Sequence, residues 1–176
     1  MVRYITGDAT QPIFPATHGT RIIAHVCNNV GRWGRGFVLA LSERWPWLRK
    51  VYRSWYAKLP PERQVLNQTE FSLGGVQLVN VGYKMYVANL VAQSGIRPLG
   101  NQPPIRYDAL QECLDWLGDF AEENFDKPSI HSPRIGCGLA GGEWSRVLEI
   151  INDKIDRRGI QFLVYDLPGS KNFREA

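Results

Sequence analysis

The sequence predicts one three-layer α/β/α domain, in which helices cover both faces of a mixed central sheet of about six strands. Short β-branched runs alternate along the chain with segments whose apolar residues recur at helical spacing. This alternation is typical of strands that are connected by helices packed on both faces of a sheet. With 176 residues and 44% hydrophobic content, the chain is long enough for one core of ordinary size.

The first half of the chain supplies four strands and two helices. The runs "VRYIT" and "RIIAHVC" stop at turn residues, as buried strands do. One helix is expected at "GFVLALSERW", and a second from Pro46 through "WLRKVYRSWYAK", because proline suits a first helical turn and Pro60 ends the segment. The strands "GVQLVNV" and "MYVANLVAQ" follow and are joined by "GYK" as in a hairpin.

The second half alternates helix and strand. "RYDALQECLDWLGDFAEEN" has apolar residues at helical spacing and predicts an amphipathic helix. The strand "SIHSPRI", the helix "EWSRVLEIINDKIDRR" and the strand "IQFLVYDL" complete the domain. We therefore expect the domain to span residues 1–168 and residues 169–176 to form a flexible tail.

Composition excludes several classes of protein. No run approaches the roughly 18 apolar residues of a membrane span, and the first ten residues lack the apolar core of a signal peptide. We expect a soluble, cytoplasmic and monomeric protein. Three cysteines without CxxC spacing and three histidines without ligand spacing predict neither a disulfide framework nor a metal site, and no cofactor is expected.

The segment from Arg32 to Arg63 is basic and rich in aromatic residues. It holds eight basic and two acidic residues, interleaved with tryptophans and tyrosines. Such a surface could meet nucleic acid or another anionic ligand. The alternative is a solvated helix face whose aromatic side chains point into the core.

Two glycine-bearing loops follow predicted strands and precede predicted helices. They are "NNVGRWGRGF" (residues 28–37) and "PRIGCGLAGGEW" (residues 133–144). A glycine-rich turn that leads into a helix lets backbone N–H groups approach an anion. Neither loop matches GxxxxGK[ST] or GxGxxG. A phosphatase nucleophile at Cys137 would require arginine at position 143, where the chain has Glu143, so Cys137 is predicted to pack in the loop floor.

These motifs resemble the macrodomains, a family that binds ADP-ribose. The resemblance rests on "ITGDAT", "AHVCNNVGRWGRGFVLAL" and "PRIGCGLAGGEW", which occur in the family's order over nearly the whole chain. The subgroup that it resembles most contains the terminal ADP-ribose glycohydrolase type and its bacterial relatives. The partners that it implies are ADP-ribose and ADP-ribosylated proteins, with ADP-ribosylated nucleic acid as a further option.

The resemblance implies a role for each matching position. Asp8 would accept a hydrogen bond from the adenine amino group, with Ala9 beside it, and Asn28 would lie near the distal ribose. Tyr165, or the region near Leu167, would form a wall beside the adenine. The two phosphate loops would contribute the remaining binding residues, which are Gly34, Arg35, Gly36 and Phe37 in the first loop and Ile135, Gly136, Cys137, Gly138, Leu139, Ala140 and Gly141 in the second.

The chain departs from the family's catalytic pattern. Where lysine-dependent relatives carry a nucleophilic lysine the chain has Ala92 and Gln93, and Ala140 replaces the aspartate that follows "GCGL". Our hypothesis is hydrolysis of ADP-ribosyl esters on acidic side chains by a water that the substrate phosphate, Asn28 and Gln93 position. The alternatives are a non-catalytic reader of ADP-ribose and an ADP-ribose 1''-phosphate phosphatase.

Overall fold

Seven strands form one sheet within residues 2–170, the part of the chain that the computed structural model describes. In chain order the strands are β1 (Arg3–Thr6), β2 (Arg21–Asn28), β3 (Val65–Gln68), β4 (Val76–Gly82), β5 (Met85–Gln93), β6 (Ser129–Ser132) and β7 (Gln161–Asp166). Their order across the sheet is β1-β7-β6-β2-β5-β4-β3.

The sheet is mixed, as predicted. The strands from β1 across to β5 pair in parallel, whereas β4 is antiparallel to β5 and β3 is antiparallel to β4. Five carboxyl ends therefore lie at one edge of the sheet, where α/β proteins bind their ligands. The loops that follow the five parallel strands all begin at this edge.

Helices cover both faces of the sheet, which confirms the three-layer prediction. They are α1 (Phe37–Arg44), α2 (Leu48–Tyr56), α3 (Tyr107–Asn124) and α4 (Trp144–Lys154), followed by a short 3-10 helix (Asp156–Arg158). Leu41 of α1 and Val51 of α2 pack with Ile23 on one face. On the other face, Leu114 of α3 and Ile151 of α4 pack in a second cluster. The period-2 alternation of β2 explains the division, since Ile22 and Ala24 face one layer and Ile23 and Cys27 the other.

The structure differs from the predictions in the number of strands and in several element boundaries. Helix α2, for example, begins at Leu48, two residues after the predicted start at Pro46. The sheet has seven strands instead of about six, and the additional one is the short edge strand β3. This strand was not predicted, because it carries polar residues and two exposed positions and therefore lacks a clear apolar alternation. Strand β6 ends before Pro133, which has no N–H to donate to the sheet. Helix α4 ends at Lys154, four residues earlier than predicted, and the 3-10 turn follows.

Two further predictions concern segments outside the sheet. Of the predicted tail, Ser170 donates its backbone N–H to the Leu167 carbonyl at 3.0 Å, and residues 171–176 lie outside the described part of the chain. No helix between residues 2 and 170 combines the length and the apolarity that a membrane span requires.

The basic segment has the architecture of a solvated helix face. Its tryptophans Trp33, Trp45 and Trp55 are buried in the cluster beneath α1 and α2, and Tyr52 is fully buried. The arginines and lysines of the same segment are exposed. This arrangement favours the structural interpretation of the aromatic residues, because rings that fill the core are not available to stack on bases.

Candidate functional site

A cavity of about 860 Å³ opens at the carboxyl ends of β2, β5 and β6. It lies between the first glycine loop (residues 29–36), which joins β2 to α1, and the second glycine loop (residues 133–143), which joins β6 to α4. The segment after β5 (residues 94–104) closes a third side. This volume is within the usual range for a small-molecule site.

Asn28 determines the shape of the first glycine loop. Its Oδ1 accepts the backbone N–H of Val30 at 3.1 Å and of Arg32 at 3.0 Å, and its Nδ2 donates to the Arg32 carbonyl at 2.9 Å. The Tyr52 hydroxyl donates to the Asn28 carbonyl at 2.7 Å. The side chain of Asn28 therefore holds the turn together, with one Nδ2 proton beyond the bond to Arg32.

The two glycine loops approach each other at Gly36 and Leu139. The φ of Gly36, +82°, lies in the region that favours glycine, and a Cβ there would come within 3.2 Å of the Leu139 Cδ1. Gly36 also stands at the start of α1, where no side chain caps the helix. Gly36, Phe37 and Val38 all line the cavity, so the start of α1 borders it.

Close backbone packing shapes the second glycine loop. Gly136 and Gly141 both have φ of +73°, and the N–H of Gly142 donates to the Gly136 carbonyl at 2.7 Å. A Cβ on Gly136 would approach the Ile105 Cδ1 to 2.8 Å. Gly138 differs from these positions, because no atom lies within 4 Å of the Cβ it could carry. The loop thus needs glycine for its own conformation at 136 and 141, but leaves open space beside Gly138.

The lining of the cavity is basic. Arg32, Arg35 and Arg97 line it from exposed positions, and Arg134 lines it from a position that is largely buried. Arg134 donates to both carboxylate oxygens of Asp166, at 2.8 and 3.0 Å, and no acidic residue or lysine is among the lining residues in the described part of the chain. The arrangement suits an anionic ligand.

The floor of the cavity holds a cysteine and a histidine that are kept neutral. His25 and Cys27 are both buried, and the Cys27 Sγ lies 3.7 Å from the His25 Nε2, which in turn contacts the Asn89 Oδ1 at 2.5 Å. Burial lowers the pKa of His25 to about 4 and raises the pKa of the Cys27 thiol. Because both shifts oppose a thiolate–imidazolium pair, the arrangement is not that of an activated nucleophile.

Gln93 and Ala140 carry no side-chain group that can act as a nucleophile or as a base. Gln93, the last residue of β5, donates from Nε2 to the Gly95 carbonyl at 3.0 Å and lines the cavity. Ala140 is buried and presents only a methyl group. Cys137 is not among the residues that line the cavity, and burial raises the pKa of its thiol to about 11.

Tyr165, which was predicted as an adenine wall, lies with its ring turned inward. Its ring is only 5% exposed and packs with Ala9 in a small cluster beside β7, and its hydroxyl is bonded to the Ile13 N–H and to the His131 Nδ1. Strand alternation turns the ring inward with Leu163. The Tyr165 ring is therefore buried, whereas Leu167, the other position considered for this wall, is exposed. The adenine-wall assignment stays a prediction.

Asp8 lies at the same edge of the sheet as the cavity but does not line it. Its Oδ1 accepts both the N–H and the hydroxyl of Thr10 at 2.8 Å, which leaves Oδ2 as the second acceptor. Strand β1, which Asp8 follows, is separated from β2 by β7 and β6. With about 4.8 Å between neighbouring strands, Asp8 stands roughly 15 Å from the end of β2.

Sequence reasoning missed several lining residues. His25, Arg32, Ile96, Arg97 and Arg134 were not predicted. The segment after β5 could have been found, because β5 is parallel to β2 and its carboxyl end must lie at the same edge. His25 lies two residues before the end of the run "RIIAHVC", within the motif that carried the resemblance, but nothing in the sequence alone indicated that its side chain lines the cavity.

Several solved structures share this architecture. A protein of unknown function from Bacteroides thetaiotaomicron is 46% identical, with a TM-score of 0.83 over 95% of this chain and 98% of its own. A macrodomain protein from Streptomyces coelicolor is 44% identical, with a TM-score of 0.76 over 94% of this chain and 99% of its own. A Trypanosoma brucei macrodomain in complex with ADP-ribose shares the fold at 17% identity, with a TM-score of 0.58 over 93% of this chain and 63% of its own.

Three curated relatives extend the comparison, whereas no model of a protein family matches the chain. The mouse chromodomain-helicase-DNA-binding protein 1-like is 31% identical over 97% of this chain, which spans only 18% of that protein. The chain spans less than a fifth of the zebrafish counterpart as well. An ADP-ribose 1''-phosphate phosphatase of Lodderomyces elongisporus is 26% identical over 93% of this chain and 97% of its own length.

Proposed function

This chain belongs to the macrodomain family, and from that premise we propose that it binds ADP-ribose in the cavity between its two glycine loops. The observation that carries the proposal is the basic cavity between the two loops, which Gly36 and Leu139 both line and which has no acidic lining residue in the described part of the chain. A diphosphate between the loops would meet backbone N–H groups from both sides and the start of α1. The phosphates would face no carboxylate there.

The order of the strands supports an orientation for the ligand. The parallel strands β1, β7, β6, β2 and β5 end at one edge, which spans about 19 Å at roughly 4.8 Å per step. The adenine would lie toward Asp8 at the β1 end, with the Oδ2 of Asp8 accepting from its amino group. The distal ribose would lie toward Gln93 at the β5 end, and the diphosphate between them.

The same cavity would hydrolyse ADP-ribosyl esters of acidic protein side chains. Water adds to the anomeric carbon of the distal ribose, the bond from that carbon to the ester oxygen breaks, and the carboxylate leaves with the bonding electrons. A phosphate oxygen of the substrate accepts the proton of the water. The reaction needs limited assistance because the leaving carboxylic acid has a pKa of about 4.

The residues of the chain would orient the attacking water and would not exchange protons with it. Gln93 cannot serve as a base, but its Oε1 remains available while Nε2 is held by the Gly95 carbonyl. Asn28 would act through the loop it shapes and through its second Nδ2 proton. Positioning of this kind lowers the barrier by holding the reacting atoms in line.

A second candidate is the removal of phosphate from ADP-ribose 1''-phosphate. It is favoured by the likeness to the phosphatase of Lodderomyces elongisporus over nearly the full length of both chains. A reader of ADP-ribose without catalysis is the remaining alternative, since neither a lysine nor a carboxylate lines the described cavity. The three functions share one binding mode and differ in the product.

Two parallel incubations separate the three functions. The wild-type protein is mixed with a glutamate-linked ADP-ribosylated protein and, separately, with ADP-ribose 1''-phosphate, and free ADP-ribose and inorganic phosphate are measured. The proposal predicts release of ADP-ribose from the ester. Retained label together with binding of ADP-ribose identifies a reader, and release of phosphate identifies the phosphatase.

Gln93→Ala tests the assignment of the orienting residue. The rate of ADP-ribose release should fall about ten- to hundredfold, the usual cost of misplacing a reacting group. The affinity for ADP-ribose should stay within about twofold, because the side chain orients water and not the diphosphate. Gln111→Ala, at an exposed position of α3 that does not line the cavity, is the matched control and should change neither quantity. An unchanged rate in Gln93→Ala would exclude this role.

A further inference from the structure

A row of buried polar side chains crosses the sheet from the cavity floor toward its far edge. His25, Asn89, Gln77 and Gln68 stand directly opposite one another on β2, β5, β4 and β3. His25 is 2% exposed, Asn89 is fully buried and Gln77 is 1% exposed. We call this row the cross-sheet network. Buried polar groups in a core of otherwise apolar strands carry a desolvation cost that apolar residues would avoid.

The hydrogen bonds of the network run in one direction. The Gln77 Nε2 donates to the Gln68 Oε1 at 3.0 Å and to the Val51 carbonyl at 3.3 Å, which leaves the Gln77 Oε1 as an acceptor. The Asn89 Nδ2 donates to that oxygen at 3.0 Å, so the Asn89 Oδ1 faces His25 as an acceptor. The His25 Nε2 must then carry the proton, and Nδ1 is left without one. The network thus fixes both the tautomer and the rotation of the imidazole ring.

The fixed ring supports the first glycine loop. The Trp33 ring, within the loop, meets the His25 ring edge-on at 5.4 Å, and the Phe37 ring at the start of α1 lies 5.8 Å away. The Trp33 Nε1 also donates to Ser42 of α1 at 2.8 Å. Phe37 lines the cavity. The rings of Trp33 and Phe37 both pack against the imidazole of His25. If the His25 imidazole could rotate, Trp33 and Phe37 would lose the fixed surface against which they pack.

We propose that the cross-sheet network is a positioning device for the first glycine loop, in which His25 acts on Trp33 and Phe37 and is itself held by Asn89 and Gln77. Two residues that do not line the cavity thereby set the affinity for the ligand. Coupling of this kind passes through contiguous packed and hydrogen-bonded groups. Only the affinity readout rests on the proposed binding of ADP-ribose, since the order of the loop can be measured without ligand.

Two variants break the network at successive steps. Asn89→Leu removes the partner of His25 and keeps a side chain with the same branching and the same number of heavy atoms. Gln77→Met removes the acceptor of Asn89 one strand further away. Leu78→Val is the matched control, because Leu78 is fully buried on the same strand as Gln77 but faces the opposite layer. This substitution lowers the free energy of unfolding but removes no hydrogen bond of the cross-sheet network. If Asn89→Leu does not fold, Gln77→Met decides the question alone.

Three measurements follow each variant. Ring-nitrogen NMR reports the tautomer of His25, hydrogen exchange of the Trp33 indole N–H reports the order of the loop, and calorimetry reports the affinity for ADP-ribose. In the wild type we expect a single tautomer with the proton on Nε2 and a protected indole. Both network variants should show mixed tautomers, faster indole exchange and an affinity lower by about tenfold, a typical size for residues that act without contacting the ligand. Leu78→Val should match the wild type in all three.

Two results would overturn the inference. One is an indole as protected in Asn89→Leu and Gln77→Met as in the wild type, and the other is an equal loss of protection in Leu78→Val. If the wild type fails to bind ADP-ribose, the proposed function is wrong, and the exchange of the Trp33 indole still decides whether the network orders the loop.

Discussion

Replacement of Gly138 by glutamate tests the anion site without disturbing the fold. Gly138 lines the cavity, its φ lies outside the left-handed region, and no atom lies within 4 Å of a Cβ placed on it. A side chain at this position therefore meets open space. Gly138→Glu should keep the unfolding free energy within about 0.5 kcal/mol of the wild type, as at ordinary surface positions.

The expected loss of affinity follows from charge repulsion. At a separation of about 6 Å, a carboxylate and a phosphate charge repel by about 0.7 kcal/mol in water-like surroundings and by about 2.8 kcal/mol at an effective dielectric of about 20. These energies correspond to about a threefold to hundredfold increase in Kd. Because the cavity is partly enclosed by the two loops, we expect a value in the upper half of this range.

Calorimetric titration with ADP-ribose measures the effect, and Gly138→Gln is the matched control. Glutamine has the size of glutamate without its charge, so the ratio of the two Kd values isolates the repulsion from steric exclusion. Thermal unfolding checks that both variants fold. If Gly138→Glu bound ADP-ribose as tightly as Gly138→Gln, the diphosphate would not lie beside the second glycine loop, and the reasoning would fail.

Three further predictions follow from the same geometry. Gly136→Ala should lower the unfolding free energy by about 1–3 kcal/mol, because its φ is +73° and Ile105 lies 2.8 Å from the new Cβ; an unchanged denaturation midpoint would contradict this. Asp8→Ala should raise the Kd for ADP-ribose by about tenfold, the usual worth of a hydrogen bond to a charged group, and an unchanged Kd would remove the adenine assignment. In the folded protein the pKa of His25 is lowered to about 4 and that of His131 to about 3, from the ordinary histidine value of 6.5. Below pH 6.5 these two histidines therefore bind more protons in the unfolded chain than in the folded one. The free energy of unfolding should therefore be greatest above pH 6.5 and fall as the pH drops toward 4. A free energy from urea denaturation that stays constant from pH 4.5 to 6.5 would refute this.

The glycine pattern made much of the site predictable. Gly36, Gly136 and Gly141 all have positive φ, a backbone conformation that favours glycine and that a local glycine pattern can therefore indicate. The alternation of strands and helices placed both loops at one edge of a parallel sheet, which the structure confirms. Local patterns of this kind depend on neighbours within a few residues and can be inferred from one sequence.

Features that depend on tertiary register could not be predicted. The cross-sheet network joins His25 to Asn89 across 64 positions of sequence, and only the pairing of β2 with β5 places them opposite each other. The edge strand β3 takes its conformation from β4 and not from its own composition. Tyr165 stands at a strand end where an aromatic ring could face a ligand, but packing with Ala9 and Leu163 turned it inward.

The most direct test of the central claim is a calorimetric titration of the wild-type protein with ADP-ribose, run in parallel with AMP. We predict one site per chain, a Kd in the micromolar range, and much weaker binding of AMP, which lacks both the second phosphate and the distal ribose that the loops would hold. No heat of binding with ADP-ribose, or equal affinity for AMP, would contradict the assignment of this cavity to ADP-ribose.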